Sequence, residues 1–174
     1  MSSASPAVRP GTPSDLDRIF ELYNQATLFQ LSKGATPWQG FDRGMIIGEI
    51  DQHHLWKVVD NNTIAGIFSI AYEDLVWQHH SGSALYIHRI ARNRHYHGAG
   101  LVPLIIDWCR QRALLNQCRY LRLDTFSANA ALVEYYVRCG FTLKETFTVP
   151  ETELRLPAHY RGASLALLEM ALSH

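Results

Sequence analysis

A strand, a glycine turn and a helix over residues 84–115 constrain this chain more than any other stretch. Ala84 to Ala91 (Ala-Leu-Tyr-Ile-His-Arg-Ile-Ala) is rich in aromatic, β-branched and other apolar side chains, which predicts a buried strand. Leu101, Leu104, Ile105 and Trp108 then recur at i, i+3, i+4 and i+7, one face of a helix. Between them stands Arg94-His95-Tyr96-His97-Gly98-Ala99-Gly100. The first N–H groups of a helix have no intrahelical acceptor, and the helix dipole adds positive charge there. Gly98 and Gly100 carry no Cβ, so an anion can approach the backbone. Such a turn suits a phosphate or pyrophosphate. Pro103 is tolerated, because a first-turn proline removes an N–H that is unpaired anyway.

A glycine turn alone is a weak signal, and a tight turn without ligand accounts for it equally well. A P-loop is excluded, because no Gly-Lys-Ser/Thr follows. A dinucleotide-binding unit wants a third glycine where Pro103 stands and a strand near the start of its domain. Asp124 lies at the right distance for a ribose-binding acid and keeps that alternative open.

The surrounding pattern is more specific. His95-x-x-Gly98-x-Gly100, after a strand and opening a helix, resembles the acyl-CoA pyrophosphate loop of the GNAT superfamily of N-acetyltransferases, whose pattern is Arg/Gln-x-x-Gly-x-Gly/Ala. His95 departs from it, with Arg94 adjacent. Downstream, Leu121-Arg122-Leu123-Asp124 precedes Asn129, Tyr136 and Gly140-Phe141, a spacing of Asn-x6-Tyr-x3-Gly-Phe that resembles the superfamily's second CoA-binding segment. The resemblance covers residues 84–142 by motif and the remainder by architecture.

It implies transfer of an acetyl group from acetyl-CoA to a primary amine of a small molecule or peptide, by direct attack in a ternary complex. A non-catalytic acyl-CoA-binding or regulatory domain of the same fold is the alternative, kept open by His95. The chemistry needs a neutral amine, donors for the developing oxyanion and a proton for the departing thiolate. The resemblance makes Tyr136 the proton donor, although Leu132, Tyr135, Tyr136 and Cys139 also form an apolar stripe that packing would explain. It places Asn129 against the CoA arm, where the residue would also cap a helix. It assigns the backbone of His88, Arg89 and Ile90 to the pantetheine and acetyl carbonyl, and Tyr96, His97, Gly98, Ala99, Gly100 and Leu101 to the pyrophosphate. His95 joins that loop with a charge that weakens as pH rises. The general base is least determined. Glu73, at the end of a strand beside the expected cleft, comes first, with Asp74, His88 and Asp124 as others; a solvated turn explains Glu73 and Asp74 as well.

Sixteen basic residues balance sixteen acidic ones, which gives no electrostatic case for a nucleic-acid or membrane partner. Arg89, Arg92, Arg94, His95 and His97 cluster around the glycine turn, which suits one phosphorylated ligand. His53-His54 and His79-His80 are adjacent pairs that point to opposite faces of a strand, so no metal site is expected. Cys109, Cys118 and Cys139 lack metal spacing and read as reduced thiols of a cytoplasmic protein. No run reaches the ~18 apolar residues of a membrane span. Met1 to Pro6 lacks the charged and apolar parts of a signal peptide, so residues 1–7 read as a flexible tail and 8–174 as a single domain.

In chain order, Val8 and Arg9 open a short strand. Thr12-Pro13-Ser14-Asp15 starts a helix that runs to about Ser32. Asp42 to Asp51 predicts a second helix. Leu55–Val59 and Thr63–Tyr72 predict a hairpin turning at Asp60-Asn61-Asn62, with Gly66 at a bulge. Val76 to Gly82 reads as a loop. Tyr120–Asp124 is a further buried strand. A helix ends at Gly140, and Phe141–Val149 and Ser164–Ala171 form a terminal hairpin. The fold expected is α/β: a mixed, mostly antiparallel sheet with helices on both faces, the GNAT fold, whose two central strands diverge to admit the pantetheine arm. Loops 33–42, 74–82 and 149–162 would choose the acceptor but match no motif; Trp38, Phe41, Trp56 and Trp77 are candidates to line its pocket. Exposed edge strands would permit a homodimer.

Overall fold

The computed structural model describes residues 5–173. Its seven strands are β1 (Ala7–Pro10), β2 (Leu55–Asp60), β3 (Thr63–Ala71), β4 (Ala84–Arg92), β5 (Tyr120–Phe126), β6 (Thr142–Thr148) and β7 (Ser164–Ala171). They form one sheet in the order β1-β2-β3-β4-β5-β7-β6. Every pairing is antiparallel except β4 with β5. Strand β7 therefore slots between β5 and β6, which leaves β6 as an exposed edge. Ala7 already pairs with Val59, so the sheet takes in the last residue of the expected tail, of which residues 1–4 lie outside the described residues.

Helices α1 (Leu16–Ser32) and α2 (Arg43–Asp51) cover one face of the sheet, and α3 (Leu101–Leu115) and α4 (Ala130–Arg138) the other. Side-chain alternation in the strands sorts the core accordingly. Leu55, Ile67 and Ala91 pack with Leu16, Ile19, Leu22 and Ile46 beneath α1 and α2. Val58, Phe68, Leu85, Leu121 and Leu168 pack with Ile105, Cys109 and Tyr136 beneath α3 and α4.

Local chemistry sets the boundaries. The Thr12 hydroxyl and N–H both donate to the Asp15 carboxylate (2.7 and 2.8 Å), and this cap opens a 3₁₀ turn at Pro13–Asp15 before α1. Asn61 and Asn62 both have positive φ (46° and 65°), as a two-residue hairpin turn requires. The bulge falls where Gly66 predicts it: Val58 pairs with Gly66 but Val59 with Ile64. A Cβ at Gly66 would come within 2.8 Å of Leu101 Cδ2 and 3.0 Å of the Ala91 carbonyl. The 76–82 stretch holds more structure than a loop. A 3₁₀ turn at Leu75–Trp77 buries Trp77 against the Arg122 guanidinium, which lies 4.9 Å from its ring. Arg122 also donates to Glu169 (2.8 Å), Tyr86 Oη (3.1 Å) and the Ser81 carbonyl (2.7 Å), tying β5 to β7 and to this segment.

Candidate active site

Strands β4 and β5 pair only from Ala84–Tyr86 against Tyr120–Arg122; beyond these residues the two strands part, as expected. In the same region β4 bulges against β3: Ile67 pairs with Ala91 but Ser69 with His88, and Arg89 takes a φ of +51°. A positive φ outside glycine needs local compensation. Here Arg89 donates to Ser69 Oγ (2.8 Å) and to Glu49 of α2, and its guanidinium lies 5.0 Å from the Phe41 ring. The bulge leaves the backbone of His88, Arg89 and Ile90 beside the gap without a β5 partner.

The loop that follows is built to expose N–H groups. Asn93 takes up the N–H of His95 through Oδ1 and that of Tyr96 through its carbonyl. Arg92 draws in the carbonyls of Tyr96 and Gly98 (3.1 and 2.8 Å). Gly100, at φ +74°, turns the chain into α3. Among the described residues, no protein acceptor meets a backbone N–H from His97 to Val102. Tyr96 departs from the expected set, because its amide is held inside the loop; its phenol bonds Asp60 (2.9 Å) and lies where a Cβ on Gly98 would sit. The Arg94 guanidinium stacks 3.8 Å from the Phe29 ring centre. The Glu21 carboxyl is held below its usual range first by Arg18, and His95 contributes to this.

Tyr136 of α4 is buried in the core beneath α3 and α4, with ring contacts to Tyr135 and Phe141. Burial raises its pKa, so the phenol keeps its proton at neutral pH, and among the described residues its hydroxyl has no hydrogen-bond partner. Asn129 caps α4, accepting from the Leu132 N–H at 3.2 Å.

A cavity of about 460 Å³ lies beside the gap. The three unassigned loops meet there, through Trp38 to Asp42, Glu73 to Val76, and Leu156 to Tyr160. Trp38 and Phe41 line it; Trp56 and Trp77 do not, being stacked on Trp108 (4.4 Å) and on Arg122. Asp74, His88 and Asp124 also line the cavity, each with a donor atom within 4.8 Å of the others, close enough to hold a small cation. Asp74 follows β3, His88 sits at the β4 bulge and Asp124 lies in β5 beyond its pairing with β4.

Their environment sets their protonation. Asp74 Oδ1 accepts from the Val76 N–H (2.8 Å). Its Oδ2 is buried 3.3 Å from His88 Nε2, outside hydrogen-bond geometry, and has no hydrogen-bond partner. Burial raises Asp74 to about 6. Burial first, and then the Asp74 charge, raise Asp124 to about 8. Burial, helped by Arg89, lowers His88 to about 4 and keeps the imidazole neutral. Glu73 lines the same cavity but is exposed. The dinucleotide alternative fails here, because Asp124 faces this cavity and β4 is the fourth strand of a mostly antiparallel sheet.

The model of the acetyltransferase (GNAT) family matches residues 16–141. The chain belongs to this family. The GNAT chain is 23% identical over 143 residues to the uncharacterized N-acetyltransferase YesJ of Bacillus subtilis, covering 76% of this chain and 79% of that one. Its fold is similar to that of a GNAT-family acetyltransferase from Listeria monocytogenes, with a TM-score of 0.76, 22% identity and 99% of each chain covered. A putative acetyltransferase from Salmonella typhimurium, yncA, solved with acetyl-CoA, matches with a TM-score of 0.68 and 16% identity over 98% of this chain and 96% of that one. The protein is thus an acetyltransferase with a seven-stranded GNAT sheet. Among the described residues, no helix is long and apolar enough to cross a membrane.

The pairing of Asp74 with Asp124 carries no sequence signal. Fifty residues separate them, and only the divergence of β4 from β5 turns both toward one cavity.

Proposed function

We propose that this protein transfers the acetyl group of acetyl-CoA to a primary amine held at Asp74, His88 and Asp124. The observation that carries the reading is this buried carboxylate pair beside the β4–β5 gap. The gap and the loop fit acetyl-CoA: the free N–H groups from His97 to Val102 suit its pyrophosphate, and the unpaired β4 backbone at the bulge suits its pantetheine arm. Acetyl-CoA supplies the thioester carbonyl that the amine attacks.

The protein's own groups manage the protons. Near neutral pH the pair carries about one negative charge, which attracts an alkylammonium ion. A base works best with a pKa near the working pH, and Asp124, raised to about 8, meets that condition. The pair takes one proton from the ammonium and releases the neutral amine to attack. Neutral His88 adds no competing positive charge. Backbone N–H groups at the bulge are the candidate donors for the oxyanion. Tyr136 donates the proton that the leaving thiolate needs, and the second proton shed by the attacking nitrogen as the amide forms restores the phenol by way of solvent. Glu73, on the exposed side of the cavity, is not required as the base.

The test combines an amine library with thiol detection of CoA release. Tyr136→Phe is expected to lose turnover by about 10²-fold or more, with acetyl-CoA affinity unchanged. Tight acetyl-CoA binding with no CoA release from any amine would overturn the enzymatic reading in favour of a CoA-binding domain.

A further inference from the structure

Strand β4 bulges at a residue poorly suited to bulging. Between the pairs Ser69–His88 and Ile67–Ala91, β4 runs through two residues, Arg89 and Ile90, where β3 runs through one, Phe68. Arg89 takes the left-handed conformation, φ +51°. Glycine adopts that conformation freely, and a residue with a Cβ populates it about tenfold less. Position 89 is an arginine, so contacts of its side chain have to hold the bulge.

Those contacts come from β3, α1, α2 and the loop between the two helices. Arg89 Nη2 donates to Ser69 Oγ, which is buried on β3 opposite the bulge, and to Glu49 Oε1 of α2. The guanidinium lies 5.0 Å from the Phe41 ring and 5.8 Å from the Tyr23 ring of α1. Of these four partners Glu49 alone carries a charge. Ile46 and Ile50, neighbours of Glu49 on α2, are buried in the core and fix where its side chain starts. The second carboxylate oxygen of Glu49, Oε2, is buried without a hydrogen-bond partner, so the group gives up water for Arg89 alone. A largely buried ion pair adds little net stability, because desolvation offsets its attraction; what it can fix is geometry.

The geometry held here is that of the backbone beside the gap. His88, Arg89 and Ile90 have no β5 partner, and N–H groups of this stretch are the donors for the oxyanion in the acetyl-transfer reading. Such donors act only when aimed beforehand at the place where charge develops. If residue 89 relaxed to a negative φ, its peptide units would turn and the aim would be lost. Phe41, Met45 and Glu49 also line the acceptor cavity, so the Arg89 side chain ties the acceptor wall to the strand that receives the thioester.

We infer that Glu49 is a positioning residue for acetyl transfer: through the Arg89 side chain it holds residue 89 in the left-handed bulge and so aims the β4 N–H groups at the thioester carbonyl. This rests on the acetyl-transfer reading above and adds to it a part supplied by α2.

The test compares Glu49→Gln with two double variants, Glu49→Gln/Arg89→Ala and Glu49→Gln/Arg89→Gly. The glutamine keeps the shape of Glu49 and leaves no buried carboxylate without its cation. CoA release gives kcat and the KM of the amine, and the infrared carbonyl stretch of bound acetyl-CoA, labelled with carbon-13 in the acetyl group, reads the donors without turnover. Glu49→Gln is expected to lower kcat about tenfold with the amine KM within about twofold, and to move the stretch toward that of free acetyl-CoA. Both double variants lack the guanidinium, yet the glycine form should exceed the alanine form about tenfold in kcat and hold the stretch nearer the wild-type value, because glycine takes φ +51° freely. A raised amine KM with unchanged kcat in Glu49→Gln would make Glu49 a group that only attracts the amine, and equal glycine and alanine forms would make the guanidinium itself the active part; either result overturns the inference and leaves acetyl transfer standing. Wild-type protein that binds acetyl-CoA but acetylates no amine removes the acetyl-transfer reading, and the stretch then decides the clamp: a glycine form nearer wild type upholds it, and equal forms overturn it. Wild-type protein that does not bind acetyl-CoA overturns both.

Discussion

Asp124→Asn separates activity from stability, because the two are expected to move in opposite directions. The change removes an ionisable group and keeps the shape. Asp124 is raised from 3.8 to about 8 by burial first and by Asp74 second. A carboxyl whose folded pKa is raised binds its proton more tightly in the folded state. Its cost to stability is absent below the unfolded value, grows as pH rises, and levels off above the folded value. At ~1.4 kcal/mol per pKa unit, the full cost of ionising Asp124 in place is about 6 kcal/mol. Asparagine never pays it. The variant should therefore match the wild type near pH 4 and gain relative to it by roughly 3–4 kcal/mol between pH 5 and pH 9. Urea denaturation at a series of pH values reads this directly. In the same variant kcat/KM for the amine should fall by about 10²–10³-fold, and the pH–rate profile should lose its step near 8 while keeping the one near 6 from Asp74. A variant with wild-type rate and an unchanged profile would refute the role of the pair. A stability gap that does not widen with pH would refute the buried ionisation on which that role depends.

Two further expectations concern the scaffold. Gly100→Ala places a side chain at φ +74° with nothing within 4 Å of its Cβ, so only backbone strain of about 1–2 kcal/mol is expected, together with weaker acetyl-CoA binding in calorimetry; unchanged affinity would count against the loop as the phosphate site. Arg122→Ala strands the Glu169 carboxylate, which among the described residues retains Lys144 at 3.4 Å as its cation, and should cost about 3–5 kcal/mol in urea denaturation; a loss under 1 kcal/mol would show the pair to be dispensable.

Much of this protein is written locally. The helical period of Leu101, Leu104, Ile105 and Trp108, the Thr12–Asp15 cap, the paired asparagines at 61 and 62 and the space constraint at Gly66 act within a few residues, and each set its element where expected. The glycine turn is of the same kind: helix geometry leaves its N–H groups free wherever α3 begins. Pairing order is not local. Strand β7 lies between β5 and β6; its apolar run Leu165–Leu168 suits an inner strand, but nothing in it names the neighbours it takes. The cavity beside the β4–β5 gap is less local still. It takes an aromatic pair from the α1–α2 loop, an aspartate after β3, a histidine at a bulge and an aspartate from β5. A single residue type in a turn, such as Glu73 or Asp74, looks the same in sequence whether solvated or buried. The difference of one position put Asp74 inward and Glu73 outward, because Asp74 begins the 3₁₀ turn that buries Val76 and Trp77. Short-range sterics and hydrogen bonding fix the elements and the free N–H groups of the glycine turn, and both are legible in the local sequence. Which carboxylates lose their water is set by long-range packing, because burial is a property of what surrounds a residue.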